Sequence, residues 1–231
     1  MKLPCLILFT ITSLFVSNAL GDDVHLDNHF FIVMTAALDA SHPFHVKQWR
    51  AMSLDEKRTN AQALYLLDVN ASQTEGLSNA VRLAVAASAT RTFGYYIGSI
   101  PTSDDFITSS DFSAALFLLD DSQKLLDRIP ARQNQLNVGG GPGVAAAGMD
   151  PSGVSDPKVR ADYERRIAEN DQALEENNNR HYLDVGMVSL ESSLCMKINY
   201  LAAHGKAGPF TNAIEASSLP ADVKAKLLEK R

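Results

Sequence analysis

Four of the six histidines cluster near the start of the chain, and they are the residues best placed to do chemistry. His25 and His29 stand four apart, and His42 and His45 flank Pro43-Phe44, in a stretch that also holds Asp22, Asp23 and Asp27. Imidazoles at i and i+4 share one face of a helix and can hold zinc or copper together. His25 and His29 are therefore the candidate ligands of a metal-handling protein. The surroundings favour a plainer role. Residues 22–27 carry no clear helix start, and Pro43 keeps His42 and His45 off a common regular helix. No Glu completes a His-Glu-x-x-His arrangement. A copper clip at a chain terminus needs His in third place, and cleavage after Gly21 would leave His25 fourth. Solvated or helix-end histidines are the simpler expectation.

Cys195 lies on a stripe with Leu190, Leu194 and Ile198. A reactive thiolate needs a helix N-terminus or a cation beside it, and some exposure; the middle of an apolar stripe predicts a buried small hydrophobe instead. Carboxylates pair at Asp104-Asp105, Asp120-Asp121 and Glu175-Glu176. Glycosidic chemistry needs two acids facing across a cleft, whereas neighbours on a helix point about 100° apart. Caps and solvated faces are the expected roles. There is no Gly-x-Ser-x-Gly elbow. Gly139-Gly140-Gly141-Pro142-Gly143 lacks the Gly-Lys-Ser or Gly-Lys-Thr of a phosphate loop. Tyr95-Tyr96 with Trp49 could line a groove, although core or loop packing is commoner for such aromatics. No cofactor is implied. A hydrolase or other enzyme of unrecognised family stays as an alternative that no motif supports.

The elements that would position these residues begin with an address. Lys2, the apolar stretch Leu3 to Val16 and the small residues of Ala19-Leu20-Gly21 read as a signal peptide over 1–21. Cleavage is expected after Gly21, with Ala19 as a second site. The apolar stretch falls short of the roughly 18–20 residues that span a bilayer, so no integral membrane segment is expected after cleavage. A secreted or periplasmic location follows. The 231 residues carry 21 Lys+Arg against 27 Asp+Glu, for a net charge of −6. That balance excludes a broad cationic surface for nucleic acid or anionic lipid. With 45% hydrophobic residues the chain can bury a core, and removal of the leader takes Cys5 and leaves Cys195 alone. An internal disulfide is then impossible and packing must supply the stability.

Alternating strand patterns are nearly absent, and helical spacing recurs. Asn28 to Ala40 is a short apolar run read as helix. Ser53-Leu54-Asp55-Glu56 has the form of a capping box ahead of a helix from about Leu54 to Val69. A second helix is expected from Leu77 to Phe93, bracketed by Gly76 and Gly94, and Tyr95 to Ser109 reads as an ordered loop. A third starts with Ser110 or Asp111 as N-cap and stops before Pro130. Residues 137–155 hold six Gly and two Pro and read as a flexible loop between a bundle at 22–136 and a C-terminal helical region at 156–231. Asp156-Pro157 is a strong helix start.

Beyond it Tyr163, Ile167, Asn170, Leu174, Asn177 and His181 alternate spacings of four and three, a narrow seam fit to touch one partner helix. After Asn177-Asn178-Asn179 the stripe becomes fully apolar, through Leu183, Met187, Leu190, Leu194, Ile198 and Leu201. An unbroken helix from Pro157 to His204 would run about 70 Å; a break near Asn178 or Gly186 is an equal alternative. Gly205 and Gly208-Pro209 stop it, and a last helix is expected at Ala221 to Lys230.

The segment Gly148-Met149-Asp150-Pro151, followed by Asp156-Pro157-Lys158-Val159-Arg160-Ala161-Asp162-Tyr163-Glu164-Arg165-Arg166-Ile167-Ala168-Glu169-Asn170, resembles one found in a group of uncharacterised, secreted bacterial helical proteins. The resemblance implies a bacterial, exported helical protein and brings no activity with it. The reading is an all-α protein: a helical bundle, a Gly-rich loop and a long C-terminal helical arm that packs back on the bundle or reaches another chain. Its expected function is non-enzymatic, through contact with a protein partner or with itself as a homo-oligomer.

Overall fold

The computed structural model describes residues 46–101, 107–131 and 155–229. These form seven helices and no strand: α1 Val46–Ala51, α2 Leu54–Gln73, α3 Asn79–Ser99, α4 Ser109–Arg128, α5 Pro157–Ala203, α6 Gly208–Ala216 and α7 Ala221–Leu228. The all-α class and the long C-terminal helix expected from the sequence are both present. The leader, the run Asn28 to Ala40 and residues 137–154 of the Gly-rich stretch lie outside the described residues. Among the described residues no helix is long and apolar enough to cross a membrane.

Local chemistry sets most helix starts. At α2 the Ser53 hydroxyl accepts from the Glu56 amide while the Glu56 carboxylate accepts from the Ser53 amide at 2.7 Å, which closes the capping box. That hydrogen bonding holds the Glu56 carboxyl below its usual range. Ser53→Ala is expected to lower stability by about 1 kcal/mol; thermal unfolding of the single variant measures it, and an unchanged midpoint would refute the capping role. Ser78 caps α3. Thr108, rather than Ser110 or Asp111, caps α4, its hydroxyl accepting from the Asp111 amide at 3.1 Å. Asp156 caps α5 with Pro157 in the first turn.

Boundaries differ from expectation in several places, and one open alternative is resolved; α2, for one, runs to Gln73 rather than Val69. Gly94 does not end α3, which runs on to Ser99 through the first five residues of the expected loop. Of the two alternatives for α5, the unbroken helix is the one present: neither Asn178 nor Gly186 interrupts its 47 residues. Both glycines sit where two helices touch. A Cβ on Gly94 would stand 2.9 Å from the Leu190 backbone nitrogen, and one on Gly186 would stand 3.1 Å from that of Arg91. Packing gained at the contact outweighs the roughly 1 kcal/mol of lost helix propensity. Gly208-Pro209 starts a helix, α6, instead of only stopping one; Pro in a first turn costs no backbone hydrogen bond.

Asn179 meets Ala80, Leu190 meets Gly94 and Lys197 meets Ile100. Residue numbers rise together along the two helices, so α3 and α5 are parallel. Residue numbers run in opposite senses for the other two neighbours, Asp68 with Arg82 and Tyr65 with Phe93 for α2, Arg82 with Asp121 and Tyr96 with Asp111 for α4, so both are antiparallel to α3. The bundle is thus up-down-up-down with α3 at its centre. Fourteen of the 21 residues of α3 are buried, which only a helix covered on all sides requires. Phe93, Leu83, Ile97, Leu118, Leu119, Leu183, Leu190 and Leu194 fill the core. The stripe Leu183, Met187, Leu190, Leu194, Ile198 and Leu201 is buried throughout, as its spacing predicts. The short helices close one end: Phe210 of α6 meets Phe112 edge-on at 4.9 Å, and Val223 and Leu227 of α7 join the core.

Candidate interaction surface on the long helix

Polar groups inside the bundle tie helices together. Arg82 of α3 donates to Asp68 of α2 at 2.5 Å and to Asp121 of α4. Asp68 is fully buried, and its second oxygen has no hydrogen-bond partner among the described residues. Burial pushes its carboxyl up to about 6 against the pull of the Arg82 charge. A second knot gathers on Asp111, which accepts from the Tyr96 hydroxyl at 3.0 Å and from Gln62 at 3.1 Å, with Arg58 at 3.3 Å. Burial, then the Asp111 charge, raises the Tyr96 phenol. Thr90 and Ser122 share a buried hydroxyl contact at 2.9 Å. Asp68, Arg82, Asp111, Thr90 and Ser122 are buried and tie the helices together, while Arg58 and Asp121 close the two clusters from partly exposed positions.

Side chains of α5 satisfy backbone carbonyls of its neighbours. Asn179 donates to the Ala80 carbonyl at 3.0 Å and Ser193 to that of Gly94 at 3.0 Å. Arg180 reaches the Leu126 and Ile129 carbonyls at the end of α4, and Lys197 that of Ile100 at the end of α3. Cations at helix C-termini also meet the negative end of the dipole. Desolvation lowers the Lys197 ammonium from its ordinary value.

The expected site residues are placed as follows. His25, His29, His42, His45, Asp104, Asp105 and Gly139 to Gly143 lie outside the described residues. Among the described residues no three His, Cys, Asp or Glu converge as a metal site would require. Cys195 is half-buried rather than buried, because α7 covers only part of that face; its thiol donates to the Lys226 carbonyl at 3.3 Å. Asp120 is a surface partner of Lys124, as expected of a solvated face. Asp121 and Glu176 correct that expectation: Asp121 serves Arg82, and Glu176 is buried and accepts from Gln172 at 3.1 Å. Tyr96 is core, while Tyr95 is exposed beside Trp49, with ring centroids 6.5 Å apart.

Among the described residues, six of the nine exposed large apolar side chains lie on α5. At 100° per residue, His181 and Leu183 point about 200° apart, so the seam at 163–181 and the buried stripe from Leu183 occupy opposite faces. Spacing alone joins them end to end; the helix separates them. The seam's own line continues along the outside through Val185, Val188 and Met196, which are 49%, 63% and 58% exposed, with Leu174 at 49%. A groove of about 400 Å³ lies between α5 and α3, with Leu174 of this line in its wall beside Ser88, Arg91, Asp171, Glu175 and Tyr182. Its lining has charged and hydrogen-bonding groups but neither His nor Cys.

The fold and this surface define an all-α bundle that presents one long helix with apolar residues on both faces. The chain matches no protein-family model, no curated protein and no solved structure.

Proposed function

We propose that this is an exported, non-enzymatic helical protein that acts through protein–protein contact. The observation that carries the reading is the outward line of Leu174, Val185, Val188 and Met196 on α5. Scattered apolar residues are ordinary on a surface, but these four share one side of α5, with Asn177, His181 and Ser192 between them, and such an alignment is what a helix contact needs. Export rests on the leader at 1–21, with its basic start, apolar centre and small residues at the cut.

The test uses the full chain expressed with its leader. The protein released outside the cytoplasm should begin at Asp22, or at Leu20 if cleavage follows Ala19. In its native extract it should run above the mass of one chain, and Leu174→Asp with Val188→Asp should return it to that mass while helicity is kept. An uncut chain retained in the cytoplasm would overturn export. A double variant that migrates like the wild type would overturn the contact face.

A further inference from the structure

We propose that the occupant of the outer α5 face is a second copy of this chain, in a parallel pair with the two α5 helices side by side and in register. The inference rests on the contact reading above and names its partner. Tyr163, Leu174, Val185 and Met196 recur every eleven residues. An eleven-residue repeat makes 3.67 residues per turn, close to the 3.6 of a straight helix. A pair joined along this line needs little supercoiling, so α5 can keep its straight contact with α3 on the opposite face. The proposed face lies about half a turn from the buried stripe, so the partner's bundle lies on the far side of the pair; α3 borders the face where Asp171 and Leu174 line the groove, and α7 packs at Glu191 and Cys195 on the other flank.

Charge selects the direction. Arg166 flanks the line on one side and Asp171 on the other. In a parallel, in-register pair unlike flanks meet, and Arg166 of each copy reaches Asp171 of the other, five residues on. Arg166 pairs with Asp162 across the solvated helix surface, both side chains largely exposed, so little is lost in exchange. An antiparallel pair brings like flanks together, and the Asp171 side carries Glu164 and Glu175 as well, against Arg160 alone. Asn170 sits on the line and meets its own counterpart only when the copies are parallel and in register, the arrangement in which a core Asn specifies pairing. A strip about 50 Å long and about 10 Å wide on each copy buries on the order of 1,000 Å² in all, the floor for a specific interface. The apolar run 30–38 of the chain itself has no charge to answer Arg166 or Asp171, which leaves a second copy as the better match.

Sedimentation of the leader-free protein should give twice the chain mass. Leu174→Asp with Val185→Asp should give one chain with an unchanged helical spectrum. Arg166→Asp should weaken pairing at least tenfold, and adding Asp171→Arg should restore it. In a Cys195→Ser background, Val185→Cys should cross-link to itself on mild oxidation, since a residue beside a twofold axis parallel to the helices meets its own copy. A chain that stays single at all concentrations overturns the proposal, even where it still binds a different protein and the contact reading survives. A single chain that pairs only once residues 22–40 are removed overturns it in favour of the chain's own segment. A pair that resists both Asp substitutions, or fails to cross-link at Val185→Cys, overturns this face and register.

Discussion

Arg82→Met is expected to cost about 3–5 kcal/mol at pH 7, the loss that follows when one partner of a buried ion pair is removed. The guanidinium holds two carboxylates, and Asp68 has no route to solvent. Denaturant titration measures the loss, and a change below 1 kcal/mol would refute the role given to the cluster.

Replacing the acid instead should act in the opposite direction. Two carboxylates share one cation, and burial pushes Asp68 up to about 6 from 3.8. The unfolded chain releases this proton near 3.8, whereas the folded chain keeps it to about 6. Folding therefore takes up a proton in that window, and this group's contribution falls as pH rises from about 4 to about 6. At 1.36 kcal/mol per unit the loss is on the order of 3 kcal/mol. Asp68→Asn keeps an oxygen for Arg82 and removes the titration. Its stability relative to wild type should rise across the window and level off above it. A difference that is flat between pH 4 and 7 would sink the assignment.

The second large effect is expected at Gly94. A Cβ there meets the Leu190 backbone at 2.9 and 3.1 Å, and backbone cannot rotate aside as a side chain can. Ala gains about 1 kcal/mol of helix propensity and loses about 1–3 kcal/mol to overpacking, so Gly94→Ala should be neutral to mildly destabilising. Gly94→Leu must force α3 off α5 along the largest helix contact of the fold, and should lower stability by about 3 kcal/mol or more. Gly208→Ala, with nothing within 4 Å of the added carbon, is the control and should leave the midpoint unchanged or raised. If Gly94→Leu unfolds at the wild-type midpoint, the close approach is not what holds the pair.

Much of this fold is legible in the sequence because helix starts are local events. Ser53 with Glu56 and Asp156 with Pro157 declare themselves within four residues, and the buried stripe from Leu183 to Leu201 repeats at helical spacing. What escapes is decided at a distance. Gly94 and Gly186 read as breakers until the partner backbone that needs their bareness is in view. Arg82 sits among Val81, Leu83 and Ala84, and Asp68 follows Leu66-Leu67; a lone charge in each apolar stretch was the available sign of a buried pair, but not of which charge meets which. The proposed interaction face is half legible. The seam at 163–181 is plain in the spacing, but its continuation through Val185 and Val188 is masked by the stronger stripe on the other face.

The parallel pairing of α3 and α5 also governs the order in which the molecule assembles. Asn179 with Ala80 and Ser193 with Gly94 join residues 99 apart, whereas α2, α3 and α4 meet as antiparallel neighbours. Nearby contacts close sooner because less chain entropy is lost in forming them. The three-helix portion should condense early with one flank of α3 still bare, and completion waits for α5. A refolding intermediate that protects amides of α2 and α4 before those of α5 is the kinetic trace this topology would leave.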